Sequence, residues 1–126
     1  MVTPVQLGLA EFLHSCPQHL TELPAFYQRL RDRLAHNLRA GPLKFSPSAG
    51  TYFQMVDYAH LSDLPDTQVA HHLTRSLGVA TIPISVFYPP DSRQNGLRLC
   101  FAKHDQTLDE AAQRLNNIES CLQTIA

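Results

Sequence analysis

The sequence predicts an α/β fold, specifically an α+β two-layer sandwich in which helices cover a small mixed sheet. Three observations lead there. Apolar residues recur at helical spacing in four segments, short β-branched and aromatic runs lie between them, and Gly and Pro punctuate the boundaries. The expected order is helix, helix, strand, strand, helix, strand, strand, helix.

The first helix is read from Thr3-Pro4-Val5-Gln6, a T-x-x-Q capping box with Pro at the first helical position. Val5, Leu9, Phe12 and Cys16 follow on one face, and Pro17 stops it. A longer helix is expected over 21–40, with Leu23, Tyr27, Leu30, Leu34 and Leu38 as its apolar stripe. Gly41-Pro42 ends it, because glycine tolerates a left-handed cap and proline cannot continue a helix. Residues 43–46 read as a short strand and 47–50 as a turn. Residues 51–58 read as a buried strand.

Asp66 is expected to cap a third helix with Val69, Leu73 and Leu77 on one face and Gly78 as its stop. A short apolar strand follows over 79–82, then an irregular extended segment over 83–88, since Pro83 lacks the N–H that a central ladder requires. Residues 89–96 form a polar loop, and 97–103 the last strand. Thr107-Leu108-Asp109-Glu110 reads as a capping box for one final helix, whose buried face is Leu108, Ala111, Leu115, Ile118, Leu122 and Ile125.

At 126 residues the chain is long enough for one domain with a real core. It is 44% hydrophobic and 17% charged, which excludes a disordered tail or a rod. The formal net charge of −1 lacks the basic excess of a nucleic-acid binder. No apolar run is long enough to cross a bilayer, and the N-terminus has no basic-then-apolar leader. Cys16, Cys100 and Cys121 are odd in number, widely spaced and free of any CxxC pair, as expected for reduced thiols in a cytoplasmic protein.

Arg98 is the most informative candidate for chemistry. Strand alternation puts Leu97, Leu99 and Phe101 on one face and Arg98, Cys100 and Ala102 on the other. An arginine beside two small residues leaves space next to a guanidinium whose planar fork suits a carboxylate. A structural ion pair or an exposed edge residue is the competing reading. Gly50 opens the 51–58 strand either to admit a close neighbour or as a simple turn residue. The segment around Ser85 and Phe87 reads as a pocket wall or as a buried connection. The seven histidines form no HxH, HxxxH or HExxH pattern. His71 and His72 would point about 100° apart on a helix, so no metal site is expected. Cys100, in an apolar strand, reads as a buried and inert thiol. There is no glycine-rich phosphate loop, no GxSxG elbow and no complete catalytic set.

In order along the chain, Thr3-Pro4-Val5-Gln6, Leu23-Pro24-Ala25-Phe26-Tyr27, Arg31-Asp32, Gly50-Thr51-Tyr52-Phe53, Val56-Asp57-Tyr58, Gly78-Val79-Ala80, Ile82-Pro83-Ile84-Ser85-Val86-Phe87 and Leu97-Arg98-Leu99-Cys100-Phe101-Ala102-Lys103 form a familiar series. It resembles the C-terminal, small-domain part of class I/II (fold type I) pyridoxal-phosphate aminotransferases, most closely the methionine aminotransferase and kynurenine–oxoglutarate transaminase branch. The resemblance covers nearly the whole chain. It implies that Arg98 binds the α-carboxylate of an amino-acid or 2-oxo-acid substrate, with Ser85 and Phe87 lining the pocket. It implies that residues 1–18 are a helix leading to a missing large domain and that 19–126 are the small domain, in which Gly50 begins a strand.

The same resemblance implies a pyridoxal-phosphate Schiff base on a lysine in an S-x-x-K context, held in the larger domain of a homodimeric enzyme. Lys44 and Lys103, the two lysines here, do not match that context. The chain alone is therefore expected not to transaminate, because the cofactor supplies the electron sink. The implied activity of the complete enzyme is amino transfer between a methionine, aromatic or other large neutral amino acid and a 2-oxo acid. The alternative is a stand-alone module derived from that domain, which binds small carboxylates or docks a protein partner through its first helix.

Overall fold

A computed structural model describes residues 2–89 and 94–124. The elements are α1 (Thr3–Ser15), α2 (Pro17–Leu38), β1 (Phe53–Asp57), α3 (Asp66–Ser76), β2 (Ile82–Pro83), a 3-10 turn (Ile84–Phe87), β3 (Gly96–Cys100), α4 (Asp105–Leu115) and α5 (Ile118–Gln123). The strands lie in the order β1-β3-β2. Both pairings are antiparallel, so this sheet of the α/β fold is antiparallel rather than mixed. Pro83 sits on edge strand β2, where its missing N–H costs no interior ladder bond.

Alternation sorts the sheet into two unlike faces. Val56, Leu97 and Leu99 point inward and are buried with Leu30, Leu34 and Leu38 of α2, Val69 and Leu73 of α3, Leu108, Ala112 and Leu115 of α4, and Ile118 and Leu122 of α5. Phe101, just past β3, continues the inner row at 1% exposure. The register pairs Phe53 with Cys100, Met55 with Arg98, and Ile82 with Arg98, so these side chains share the opposite, open face. This is the two-layer arrangement that the sequence predicts, with helices on one side of the sheet. The apolar stripes of α3 and α4 bury Leu73, Leu108 and Leu115 because positions three and four apart share one helix face, while Leu77 is half-buried at the end of α3.

Several boundaries differ from the sequence reading. Thr3 and Thr107 are not caps: the N-cap residues of α1 and α4 are Val2 and His104, and neither makes a side-chain cap bond. Pro at the start of α1 supplies the fixed φ that helix entry needs without a cap. Pro17 does not merely end α1. It also begins α2, four residues before the expected start, because a first-turn proline loses no intrahelical bond. Residues 43–46 form no strand, only a bridge in which Lys44 and Asp57 exchange backbone hydrogen bonds of 3.1 and 2.8 Å.

The expected final helix is two helices. The Asn116 amide donates 3.1 Å to the Asn37 carbonyl at the end of α2, and Asn117 starts α5. Asparagine side chains bond backbone groups in competition with a helix, so this pair is a reasonable breakpoint. Ile125, expected on its buried face, lies outside the described residues, as does part of the 89–96 loop. Among the described residues no helix is long and apolar enough to cross a membrane.

Candidate functional site

The site is built on the open face of the sheet, around the middle strand. Arg98 projects from β3 between two aromatic rings. Its guanidinium carbon lies 4.0 Å from the ring centre of Phe53 on β1 and 4.8 Å from that of Phe87 in the 3-10 turn. Phe53 is a diagonal cross-strand neighbour, since its direct partner Cys100 is two residues beyond Arg98. The electron-rich ring faces attract the cation.

The Arg98 Nε is buried and has no hydrogen-bond partner. No ion pair of the described residues reaches the guanidinium. A buried donor without a partner is costly, and a charged one more so. A guanidinium whose N–H groups have no partner in the chain can receive a carboxylate through two of them at once. The sequence reading placed small residues beside Arg98. Cys100 does share its face on β3, but Ala102 lies past the end of the strand, and the rings of Phe53 and Phe87 are what flank the cation.

Of the other sequence candidates, Phe87 is brought to Arg98. Ser85 is bound elsewhere: its hydroxyl donates 2.6 Å to Asp66 Oδ1 and its backbone N–H 2.7 Å to Asp66 Oδ2. Asp66 was expected to cap α3 and is instead its first helical residue, 2% exposed, with its carboxylate turned to Ser85. A buried acid is recognisable in sequence only as an acid, so nothing in the residue order distinguished it from an ordinary helix-start aspartate.

Gly50 does not begin the strand, which starts at Phe53, and the space beside it is open. Thr51 is the residue with positive φ, +65°, and its hydroxyl accepts the Phe53 N–H at 3.1 Å. This local turn delivers Phe53 to the sheet. Cys100 is exposed rather than buried, because it lies on the open face with Arg98. Cys121 is the buried thiol. Burial pushes its pKa up, while a hydrogen bond with Ser76 acts weakly against the shift. Among the described residues no three His, Cys, Asp or Glu side chains are grouped to hold a metal ion.

A helix-backed sheet whose open face carries an aromatic-flanked, unpartnered arginine defines a small α+β domain able to hold a carboxylate. The chain belongs to the class I and II aminotransferase family, whose profile matches residues 2–115. It is 44% identical over 116 residues to methionine aminotransferase of Escherichia coli, covering 92% of this chain and 30% of that protein. It is 34% identical to kynurenine–oxoglutarate transaminase of Dictyostelium discoideum, covering 90% of this chain and 31% of that one.

Among solved structures, an Escherichia coli protein with a methionine aminotransferase function superposes with a TM-score of 0.85 at 44% identity, covering 91% of this chain and 30% of the other. N-Succinyldiaminopimelate aminotransferase of Mycobacterium tuberculosis superposes with a TM-score of 0.82 at 34% identity, with the same coverage of 91% and 30%. The chain spans about 30% of the length of the curated relatives it matches.

The family depends on pyridoxal phosphate, and the residues present here do not fit that group. Lys44 and Lys103 are both exposed. Lys44 belongs to the backbone bridge with Asp57, and Lys103 to the connection between β3 and α4. The residues three places before them are Gly41 and Cys100, not serine. No Schiff-base step is assigned to either lysine.

Proposed function

We propose that this chain provides the small C-terminal domain of a pyridoxal-phosphate-dependent aminotransferase, in which Arg98 holds the α-carboxylate of the amino-acid or 2-oxo-acid substrate. The observation that carries the reading is the Arg98 guanidinium, 4.0 and 4.8 Å from the ring centres of Phe53 and Phe87, with a buried Nε that lacks a partner. Phe87 contributes the outer wall of the pocket, and Ser85 shapes that wall from within the same turn. The substrate side chain is methionine, aromatic or another large neutral group, a reading supported by the methionine and kynurenine enzymes among the relatives. Pyridoxal phosphate and its lysine belong to a large domain outside this chain, and the complete enzyme is a homodimer. Residues 1–18 form the link toward that domain. Helix α1 contains no buried residue, and Leu7 and Phe12 are among its exposed apolar groups, which supports a docked role for it.

The exposed α1 also favours a second reading, a protein-interaction module that retains the fold without catalysis. One titration separates the two. The 2-oxo acid of methionine is added to the isotopically labelled chain, and backbone and arginine side-chain resonances are followed. Saturable shifts at Phe53, Phe87 and Arg98 that vanish in Arg98→Ala support the carboxylate site. Absence of any saturable shift at millimolar ligand removes it and leaves the interaction reading.

A further inference from the structure

The turn that carries Phe87 is held by groups outside the Arg98 site. Phe87 is 59% exposed, so its own packing does not fix it. The 3-10 turn below it is fixed at two points. At one, the buried Asp66 carboxylate accepts both the backbone N–H and the hydroxyl of Ser85, at 2.7 and 2.6 Å. At the other, Ile84 lies so close against Gly96 that a β-carbon on Gly96 would run into Ile84 Cδ1. The turn then closes on itself through the Tyr88 N–H, which donates 3.0 Å to the Ser85 carbonyl.

Burying a carboxylate costs free energy unless donors replace its water. Here Ser85 supplies two, and the first turn of α3 adds the favourable end of a helix dipole. The cost is incurred where α3 meets the turn, and its result is a fixed Ser85 two residues from Phe87. We propose that Asp66 is a positioning residue for the Arg98 site: acting through Ser85, it holds Phe87 over the guanidinium and so sets the guanidinium's orientation. Gly96 is the second support, since a β-carbon there would push the end of the Ile84 side chain out of its present seat on β3. The part of the proposal that concerns substrate rests on the carboxylate reading of Arg98. The part that concerns the ring does not.

The test uses the full chain and the Arg98 Nε–Hε resonance, which senses the ring currents of Phe53 and Phe87. Ser85→Ala removes one of the two bonds to Asp66, and Ser85→Thr keeps the hydroxyl. Phe87→Ala gives the reference position for a missing ring. The expected result is that Ser85→Ala and Asp66→Asn move the Arg98 resonance toward the Phe87→Ala position, that Ser85→Thr restores it, and that the resonances of α4 stay in place. Affinity for the 2-oxo acid of methionine should fall in Ser85→Ala by no more than about two- to fivefold, the loss expected when the Phe87 ring leaves the guanidinium. An Arg98 resonance that moves in Phe87→Ala but not in Ser85→Ala or Asp66→Asn overturns the proposal. If Asp66→Asn does not fold, the Ser85 pair decides alone. If the resonance moves as expected while wild-type chain binds no 2-oxo acid, the positioning role stands and the substrate reading of Arg98 fails.

Discussion

Arg33 and Asp109 form a two-pronged ion pair that joins α2 to α4, with Nε to Oδ1 at 2.8 Å and Nη2 to Oδ2 at 2.6 Å. Asn37 adds a bond of 2.7 Å to the same carboxylate, and Arg29 and Arg33 share the neighbouring Asp105. These residues lie at the surface, above the leucines that bury α2 against α4. The hydrogen bond from Arg33 holds the Asp109 carboxyl below the ordinary carboxylate range; desolvation opposes it, and the Arg33 charge and the Asn37 hydrogen bond add smaller downward contributions.

The sign of the resulting pH dependence follows. A carboxyl with a lower pKa in the folded chain than in the unfolded one stabilises the fold once it is ionised in both states, and loses that contribution as pH falls through the folded value. Stability should therefore decline on acidification below the ordinary carboxylate range. In Asp109→Asn the decline should be shallower and stability at neutral pH lower. Urea unfolding at a series of pH values measures both. Identical acid limbs in the two proteins would show that the pair contributes nothing across this range, as for many exposed ion pairs.

Gln54 supports the turn that delivers Phe53. It is 1% exposed, and its amide donates 2.8 Å to both the Ser46 and Met55 carbonyls while its oxygen accepts the Ser48 N–H at 3.2 Å. Replacing it with leucine leaves those backbone groups without partners in a nearly dry site. Each such loss costs about 1–3 kcal/mol, and some will recover a water. Gln54→Leu should lower stability by about 2–4 kcal/mol, read as a fall in the urea midpoint. It should also move the Phe53 ring resonances more than those of Phe87, since only Phe53 follows the 46–53 turn.

Gly78 ends α3 with φ at +66°. A β-carbon there would meet Arg114 Nη1 at 2.9 Å, but that nitrogen is the far end of a flexible side chain and can yield. The backbone conformation is the larger obstacle, since a left-handed φ costs an L-residue about 1–2 kcal/mol. Thermal melts should rank the variants Asn above Ala above Val, because asparagine tolerates this region and β-branched residues do not. A Gly78→Ala protein as stable as the wild type would show that the segment after α3 relaxes to another conformation.

What could be read in the residue order depended on how local the cause is. Arg98 facing away from Leu97 and Leu99 follows from a two-residue period, and β3 obeys it. The apolar faces of α3 and α4 follow from helical spacing in the same way. The ring partners of Arg98 were not legible, because Phe53 reaches it through the β1–β3 register, a pairing of residues far apart in the chain. Asp66 was misread for a related reason: a helix-start aspartate has a strong local use as a cap, and its actual partner, Ser85, lies 19 residues on. Thr107 shows the same failure at α4, where the helix begins two residues earlier, at Asp105. The break at Asn116 depended on the Asn37 carbonyl, which α2 supplies from 79 residues away.

The two rings on Arg98 should contribute unequally to carboxylate binding. Phe53 lies closer, at 4.0 Å against 4.8 Å, and is half-buried where Phe87 is mostly exposed. Cation–π attraction is about 0.5–1 kcal/mol at exposed sites and about 2 kcal/mol when water is excluded. Both rings act before the ligand arrives, by holding the guanidinium flat and aimed, so their loss reappears as an ordering cost on binding. Phe87→Leu should weaken 2-oxo-acid binding about two- to fivefold and Phe53→Leu about tenfold or more. Arg98→Lys keeps the charge but loses the planar fork, so it should lose at least as much as Phe53→Leu. Calorimetric titration gives all three values. A lysine variant that bound as tightly as wild type would mean that charge alone attracts the carboxylate and that the ring-aligned fork plays no part in holding it.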